Sequence, residues 1–205
     1  MIKLQLYGSN IVPYIIIKYL YLFFMKIVAF GASNSSRSIN KSFAVYTASL
    51  FYGAEVTVLD LNDYELPIYS FDREKDSGIP DKAISFYEQL LSADLLIISM
   101  AEHNGSYTAA FKNIFDWVSR YNSKCFEHKK LFLLSTSPGQ RGGKGVMEAA
   151  LVRFPNHGAE ITEYFSLPKY GENFNIEEGI VHPDLKEEFF SKVNTIKLLY
   201  GLENK

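Results

Sequence analysis

Short apolar runs alternate with helix-like stretches from Met25 onward, and this alternation limits the fold more than any other feature of the sequence. Most of the runs are continuously apolar, which is typical of strands that a parallel sheet buries on both faces. The predicted strands are 27–30, 55–59, 95–98, 131–134 and 160–165. Strands joined by crossover helices pair in parallel. The sequence therefore predicts a doubly wound α/β domain over 25–205, built on a five-stranded parallel sheet.

The segments between these strands carry helical signals, with two exceptions. The first helix is expected to begin near Ser38, and a later one has a single apolar stripe with members at i, i+3, i+4 and i+7. That stripe consists of Phe111, Ile114, Phe115 and Val118. The connections 60–79 and 166–181 show no regular period and are predicted to be irregular.

Charge and cysteine content exclude several classes of protein. The net charge of −2 provides no basic surface for nucleic acid. The one cysteine, Cys125, cannot form an internal disulfide, so the chain is expected to be cytoplasmic. Four histidines are too scattered in sequence to predict a metal site.

Residues 1–24 need a separate interpretation. Their apolar part, 11–24, is interrupted by Pro13 and Lys18 and is shorter than the roughly 20 residues of a membrane-spanning helix. A secretory signal is the alternative, but the only basic side chain ahead of the apolar part is Lys3, and small residues suited to cleavage first occur at 29–33, inside the first predicted strand. We predict that 1–24 are an extension or a mis-called start outside the fold, and we expect no membrane association.

Three polar loops follow the first, third and fourth predicted strands. In doubly wound sheets ligands bind at the carboxyl ends of the strands. The first loop, 31–40, places four serines beside Arg37 at the start of a helix, where free amides and the helix dipole attract a phosphate. The alternative is that Ser38 only caps the helix. Neither G-x-G-x-x-G nor a Walker A loop is present, which favours a mononucleotide.

The other two loops are weaker signals on their own. In 101–107 the pair Asn104–Gly105 permits a tight turn with positive φ. Taken alone, His103 is predicted to be a surface histidine, and the nearby Trp117 is predicted to be a core or interface aromatic residue. The loop 135–143 is rich in glycine, and its alternative interpretation is a flexible connection.

Together the three loops resemble those of NADPH-dependent FMN reductases and related azo- and quinone reductases. The first reads G-A-S-x-S-x-x-S-x-N, like that family's phosphate loop. The second reads E-H-N-G-S-Y-T-A-A-F-K-N-I-F-D-W, like its P-x-Y-N-G-S turn and K-N-x-x-D-W helix, and the third is S-x-S-P-G-x-x-G-G. The resemblance covers 25 to about 165 and implies a flavodoxin-like, three-layer α/β/α fold.

The resemblance also implies which residues hold the cofactor. Ser33, Ser35, Ser38 and Asn40, with the backbone of Ile39, would bind the FMN phosphate. Glu102, His103, Asn104, Gly105 and Ser106 would lie along the isoalloxazine edge, with Ser137, Pro138 and Gly139 on its other side. Three positions depart from the family pattern: Ser35 replaces a common arginine, for which Arg37 can substitute, Ala101 replaces proline, and His103 replaces an aromatic residue.

The predicted function is hydride transfer from NADPH or NADH to bound FMN and onward to a small acceptor, namely a flavin, a quinone or an azo compound. Because the flavin carries out the chemistry, no residue of the chain is predicted to be catalytic. A non-enzymatic electron carrier is the alternative, although carriers of that type are usually strongly acidic. A relative that has lost flavin is a third possibility. The resemblance further implies a homodimer or homotetramer.

Overall fold

The structure is a computed structural model that describes residues 25–202, so the predictions made for 1–24 lie outside the described residues. Nine strands are assigned within this range. They are β1 (Lys26–Ala32), β2 (Glu55–Val58), β3 (Leu95–Met100), β4 (Glu102–His103), β5 (Ser106–Tyr107), β6 (Lys130–Thr136), β7 (Glu160–Leu167), β8 (Phe174–Asn175) and β9 (Gly179–Ile180). Five of them form one sheet in the order β2-β1-β3-β6-β7.

Every pairing in this sheet is parallel, and the order matches that of flavodoxin-like folds. The predicted fold class is therefore confirmed. The other four strands form two short hairpins, β4–β5 and β8–β9. β2 lies at one edge of the sheet, and all four of its residues are exposed, so only the inner strands are buried on both faces.

Helices cover both faces of the sheet. In chain order they are α1 (Ile39–Ser49), α2 (Phe71–Ser77), α3 (Asp81–Ser92), α4 (Ala109–Tyr121), α5 (Lys144–Arg153), α6 (Tyr170–Asn173) and α7 (Pro183–Leu199). Two 3₁₀ turns, Leu61–Tyr64 and Phe154–His157, complete the regular structure of the described residues.

The core consists of two layers that the alternation of side chains along each strand keeps apart. In β3, Leu96 and Ile98 face a layer shared with α3, α4 and α5, whereas Leu95 and Ile97 face a layer shared with α1 and α7. This is the three-layer arrangement that the sequence predicted. The apolar stripe of α4 lies in the first layer, so it is part of the core and is not available as a surface between subunits.

The two connections predicted to be irregular contain short regular elements, and those predictions were wrong in part. In 60–79, the side chain of Asp60 accepts from the Asn62 amide at 2.9 Å and caps a 3₁₀ turn. Ser70 caps α2 in the same way. Segment 166–181 holds the end of β7, α6 and the β8–β9 hairpin. Elements of two to seven residues are too short to show a period in the sequence.

Candidate functional site

The three polar loops meet at one edge of the sheet. β1, β3 and β6 are adjacent, with Ala32 beside Met100 and Met100 beside Ser135. The loops that follow them enclose a cavity of about 190 Å³, which we call the cofactor cavity. It is lined by Ser33, Ser35, Arg37, Ser38, Ile39, Asn40, Ala101, Glu102, His103, Thr136, Ser137 and Pro138.

Most of the residues implied by the family resemblance line this cavity, and four do not. Asn104, Gly105, Ser106 and Gly139 lie outside its lining. Ala101 and Thr136 line it although they were not predicted as site residues. Both stand in loops that the sequence singled out, and each directly precedes a predicted site residue, which is the signal that could have found them.

The serines of the first loop fix its backbone by accepting hydrogen bonds from it. Ser33 Oγ accepts from the Ser35 amide at 3.2 Å, and Ser35 Oγ accepts from the Arg37 amide at 3.3 Å. Ser38 caps α1 by accepting from the Lys41 amide at 3.1 Å. Ser38 therefore does cap the helix, but a hydroxyl that accepts one bond still has its own hydrogen to donate, so its role at a phosphate stays a prediction.

The first turn of α1 adds backbone donors to these hydroxyls. The amides of Ile39 and Asn40 are among those that an α-helix leaves without an internal acceptor. Within residues 25–202 the guanidinium of Arg37 makes no ion pair or hydrogen bond, and the side chain is exposed at the rim of the cavity. The loop thus presents hydroxyls, amides and one free positive charge, which is the donor set of an anion site.

A glycine allows α1 to begin this close to the strand. A Cβ atom at Gly31 would lie 2.3 Å from the Lys41 amide nitrogen and 2.7 Å from its Cα atom. Because these are backbone atoms of α1, a larger residue would push the helix away. Gly31 therefore sets the distance between β1 and the donors of α1.

Asn40 has a different role from its neighbours because its side chain is almost fully buried, with 3% exposed. Its Nδ2 donates to the Thr136 carbonyl oxygen at 3.1 Å. Its Oδ1 accepts from the Thr136 amide at 3.0 Å and from Ser99 Oγ at 2.8 Å. The side chain thus ties α1 to β3 and β6 and holds the cavity walls together.

The second loop is a two-residue hairpin. β4 and β5 pair across Asn104 and Gly105, whose φ angles are 51° and 75°. The predicted tight turn with positive φ is confirmed. Glu102 Oε2 accepts from the Val146 amide at 2.8 Å, in the first turn of α5. A Cβ atom at Gly145 would lie 2.7 Å from this oxygen, so the glycine makes room for the carboxylate.

This contact places a negative charge at the start of α5, next to Gly143 and Lys144. The Glu102 carboxylate accepts from one amide of the first helical turn and interacts favourably with the helix dipole. The hairpin is thereby attached to α5. His103 is exposed on this hairpin, which fits the surface interpretation of its position.

The third loop is held by hydrogen bonds, which argues against the flexible connection. Ser135 Oγ donates to the Gly142 carbonyl oxygen at 2.8 Å. The amides of Lys169 and Tyr170 donate to the carbonyl oxygens of Gly139 and Ser137 at 2.9 and 3.1 Å. Segment 168–170, part of the connection that the sequence predicted to be irregular, thus supports the wall of the cofactor cavity.

A second cavity, of about 320 Å³, adjoins the first at His103, and we call it the adjoining cavity. Its walls come from the start of α4 and from connection 60–79, a part of the chain to which the sequence assigned no site residue. It is lined by Asn34, Leu61, Asn62, Tyr64, Glu65, Leu66, Ile68, His103, Thr108, Ala109, Ala110 and Asn113.

The α4 residues of the K-N-x-x-D-W motif hold this connection in place. Asn113 Oδ1 accepts from the Tyr69 amide at 2.8 Å, and its Nδ2 donates to the Leu66 carbonyl oxygen at 3.1 Å. Trp117 Nε1 donates to the Pro67 carbonyl oxygen at 2.7 Å, and its ring is buried. Trp117 therefore occupies a core position, and the motif anchors the wall of the adjoining cavity.

An ion pair ties the same connection to α1. Lys41 Nζ lies 2.5 Å from Asp60 Oδ2, and this hydrogen bond lowers the pKa of the Asp60 carboxyl. Because Lys41 has this partner, Arg37 is the positive charge on the first loop that remains free for a ligand within the described residues.

Other chemistry has little support in the described residues. Among them, no three His, Cys, Asp or Glu side chains are grouped so that they could hold a metal ion. Cys125 is fully buried, and burial raises the pKa of its thiol to about 12, so it stays protonated at neutral pH. None of the helices in 25–202 combines the length and the apolar character needed to cross a bilayer.

Comparison with known proteins agrees with this geometry. The family model described as NADPH-dependent FMN reductase matches residues 25–172. The chain belongs to the NADPH-dependent FMN reductase family, as the three loops predicted. FMN and NADPH, which the family's description names, are the cofactors predicted from the sequence. The prediction of an oxidoreductase is confirmed at the level of the family.

The individual relatives share only part of their sequence with this chain, at identities of 30%, 26% and 20%. An uncharacterized protein of Mycoplasma pneumoniae is 30% identical over 153 residues, which are 72% of this chain and 90% of that protein. A probable NADPH:quinone oxidoreductase 2 of Oryza sativa subsp. japonica is 26% identical over 142 residues, 66% of this chain and 67% of the rice protein. The solved structure of FerB, a flavoenzyme NAD(P)H:(acceptor) oxidoreductase from Paracoccus denitrificans, is similar at TM-score 0.65 and 20% identity, covering 85% of this chain and 98% of FerB. This last likeness supports the fold.

Proposed function

We propose that this chain binds FMN in the cofactor cavity and uses NADPH or NADH to reduce a small acceptor, with a quinone as the first candidate. One observation carries the proposal: the cofactor cavity, lined by the serine-rich loop, adjoins a second cavity at the carboxyl ends of the strands. In this fold class that edge is where ligands bind.

The phosphate would lie at the amino-terminal end of α1. Ser33, Ser35 and Ser38 have hydroxyl hydrogens to donate, and the amides of Ile39 and Asn40 point out of the first helical turn. The Arg37 guanidinium at the rim adds a positive charge. Charge-assisted hydrogen bonds of this kind are stronger than neutral ones, so a terminal phosphate suits the loop better than a neutral group.

The ring would extend from this loop towards His103, with Glu102 on one side and Ser137 and Pro138 on the other. The Glu102 carboxylate is held by Val146, so it shapes the wall while its charge is partly balanced by the α5 dipole. Asn104, Gly105, Ser106 and Gly139 flank the cavity and would approach only the exposed edge of the ring.

FMN, when bound, accepts a hydride from the nicotinamide nucleotide and passes reducing equivalents to the acceptor. The chain itself would hold the flavin and the acceptor in position. Polar and apolar side chains share the walls of the adjoining cavity, with Leu61, Tyr64 and Ile68 among the apolar ones and Asn62 and His103 among the polar ones. A small acceptor that combines a flat ring with polar oxygens suits walls of this kind. The name of the rice relative supports a quinone as the first acceptor to test, ahead of a flavin or an azo compound.

The proposal extends to assembly and location. Ile68 and Phe71 in connection 60–79 are 77% and 67% exposed, beside the adjoining cavity. Exposed apolar side chains next to a ligand cavity favour a subunit contact there, in a homodimer or a homotetramer. We also propose a cytoplasmic location, a fold confined to 25–205, and no binding of nucleic acid or membranes.

The first experiment titrates the full-length chain with FMN and follows flavin fluorescence. Ser35→Glu places a carboxylate in the lining of the cofactor cavity and is expected to weaken FMN binding at least tenfold, a loss of about 1.4 kcal/mol. Ser92→Glu is the matched control, because Ser92 is exposed at the end of α3 and lines neither cavity. Equal effects of the two variants would contradict the proposed phosphate site.

The second experiment separates the reductase from the electron carrier. NADPH or NADH is added to the FMN-loaded chain without oxygen, and the visible absorbance of the flavin is recorded. Bleaching by the nucleotide alone supports a reductase, and turnover is then compared between a benzoquinone, free flavin and an azo dye. Bleaching that requires a partner reductase supports the carrier. A chain that binds no FMN would contradict both functions.

A further inference from the structure

Among residues 25–202, His103 is the one residue that lines both the cofactor cavity and the adjoining cavity. The cofactor cavity would hold the flavin ring, and the adjoining cavity would hold the acceptor. An acceptor must come close to the ring to be reduced, so it must also come close to His103. The proposed function gives this side chain no role beyond that of a wall.

The backbone of His103 is held on two sides, which directs its side chain. His103 pairs with Ser106 across the hairpin, and the preceding residue, Glu102, accepts from the Val146 amide of α5 at 2.8 Å. Successive side chains of a strand point to opposite faces. Because Glu102 points towards α5, the imidazole of His103 projects from the other face of the hairpin, towards the adjoining cavity.

Other polar side chains of the adjoining cavity already have partners. The Asn113 amide uses its oxygen and its nitrogen to hold the backbone of the wall. Thr108 Oγ1 donates to the Ala32 carbonyl oxygen at 2.8 Å, and Asn62 Nδ2 donates to Asp60 Oδ1 at 2.8 Å. These bonds fix the shape of the wall and leave few of its side-chain hydrogens for a ligand.

The groups that remain are mainly hydrogen-bond donors. Within the described part of the chain, the imidazole of His103 makes no hydrogen bond or ion pair, and neither does the side-chain amide of Asn34. The lining also includes Ala109 and Ala110 in the first turn of α4, where amides lack an acceptor within the helix. Histidine adds a positive charge when it is protonated. Donors and positive charge together favour a ligand with anionic oxygens.

Four other ionisable groups share a cavity with His103. Arg37 and Glu102 line the cofactor cavity, where Arg37 would pair with the FMN phosphate and the Glu102 carboxylate is bonded to α5. Tyr64 and Glu65 line the adjoining cavity only. Burial raises the pKa of the Tyr64 phenol, so it is uncharged at neutral pH. His103 is therefore the group that can present a positive charge where the two cavities meet.

We propose that His103 selects the acceptor, and that the preferred acceptor is an aromatic molecule with an anionic oxygen, such as a quinone that carries a ring hydroxyl. Such a hydroxyl ionises readily because the negative charge spreads onto the carbonyl oxygens. The imidazole donates a hydrogen bond to the charged oxygen, while the ring of the acceptor lies against apolar residues such as Leu61 and Tyr64. This inference rests on the proposed function, since it needs FMN in the cofactor cavity.

The test measures the binding of two probes to the full-length chain saturated with FMN, by calorimetry at about pH 6, where histidine carries much of its charge. Benzoate and benzamide have nearly the same shape, but only benzoate is an anion. His103→Gln keeps a hydrogen-bond donor and removes the charge, and His103→Phe removes both. His182→Gln is the matched control, because His182 is an exposed histidine that lines neither cavity.

The wild-type chain is expected to bind benzoate about fivefold more tightly than benzamide. His103→Phe is expected to abolish this preference, His103→Gln to reduce it, and His182→Gln to leave it unchanged. At about pH 8 the preference of the wild type is expected to fall to that of His103→Gln, because histidine side chains are largely neutral there. Circular dichroism confirms that the variants are folded.

Turnover gives an independent measurement, which decides the question if neither probe binds. The ratio of kcat/KM for a hydroxyl-substituted benzoquinone to kcat/KM for the unsubstituted compound is expected to fall about fivefold in His103→Phe. The inference is overturned if the preference for benzoate, or this ratio, is the same in the wild type and His103→Phe. FMN binding and bleaching by NADPH or NADH would then still support the proposed function. If the chain binds no FMN, the proposed function and the inference fail together.

Discussion

The side-chain amide of Asn40 bonds both backbone groups of Thr136, donating to the carbonyl oxygen at 3.1 Å and accepting from the amide at 3.0 Å. Ser99 Oγ donates to the same Oδ1 atom. One side chain from α1 thus satisfies polar groups at the ends of β3 and β6. The edge of the sheet where the three loops meet is held by a buried polar cluster, and the apolar layers lie on either side of it.

Asn40→Ala is expected to lower the free energy of unfolding by roughly 2–4 kcal/mol, because it leaves the buried Thr136 and Ser99 groups without partners. Urea denaturation measures the change. The exposed Asn194 on α7 gives the control variant Asn194→Ala, which is expected to change the free energy by less than about 0.5 kcal/mol. Similar stabilities for the two variants would show that the bonds to Thr136 contribute little.

Gly31→Ala is expected to destabilise the chain and to weaken flavin binding, because its Cβ atom would meet the backbone of Lys41 and displace the start of α1. Overpacking of this kind lowers the free energy of unfolding by about 1–3 kcal/mol. Gly171→Ala is the control, since no atom lies within 4 Å of its Cβ and the residue does not line the cofactor cavity. Thermal unfolding and FMN titration of both variants check the prediction. The prediction fails if the two variants unfold at the same midpoint temperature and bind FMN equally well.

Glu102→Ala is expected to cost about 1 kcal/mol of stability, because the Val146 amide loses its acceptor and α5 loses a negative charge at its positive end. Glu102→Gln keeps an oxygen at the same distance and is expected to retain most of the stability. Chemical denaturation of the pair separates the hydrogen bond from the charge. A glutamine variant as unstable as the alanine variant would argue against the capping role.

The pKa of His157 is lowered, chiefly because burial disfavours the charged imidazolium, with Arg153 and Lys124 adding to the effect. Near its ordinary pKa of 6.5 the unfolded chain therefore binds more protons than the folded one. Stability is expected to fall as the pH drops from about 7 and to level off below the folded pKa. His157→Gln is expected to flatten this part of the curve of unfolding free energy against pH. Parallel curves for the wild type and the variant would show that His157 does not cause the loss of stability.

The sequence predicted the loops of the site better than the ends of its strands. The predicted third and fourth strands ended at Ile98 and Leu134, where the apolar runs stop, but β3 continues to Met100 and β6 to Thr136. The added residues include polar ones, Ser99, Ser135 and Thr136, which are buried. Ser99 and Thr136 are bonded to Asn40, and Ser135 is bonded to Gly142 and Ser166. A local pattern carries no information about partners that lie elsewhere in the sequence.

The walls of the adjoining cavity and the aromatic residues beside α1 were missed for a related reason. Tyr170 and Phe174 stand in a segment with no period, and Tyr64 stands in another. Their positions are set by contacts with α1 and α3, such as the ring contact of Tyr64 with Phe86. Aromatic residues in irregular segments take their role from the surface they pack on, and that surface is known only once the fold is known.

The hydrogen bond between the Val146 amide and Glu102 provides a way to measure motion at the site. The Val146 amide hydrogen is held by a side chain of the hairpin, whereas later amides of α5 are held by the helix itself. Its exchange with deuterium therefore reports how often the hairpin lifts away from α5. A single backbone resonance, recorded before and after a ligand is added, can thus report motion of the hairpin that carries Glu102.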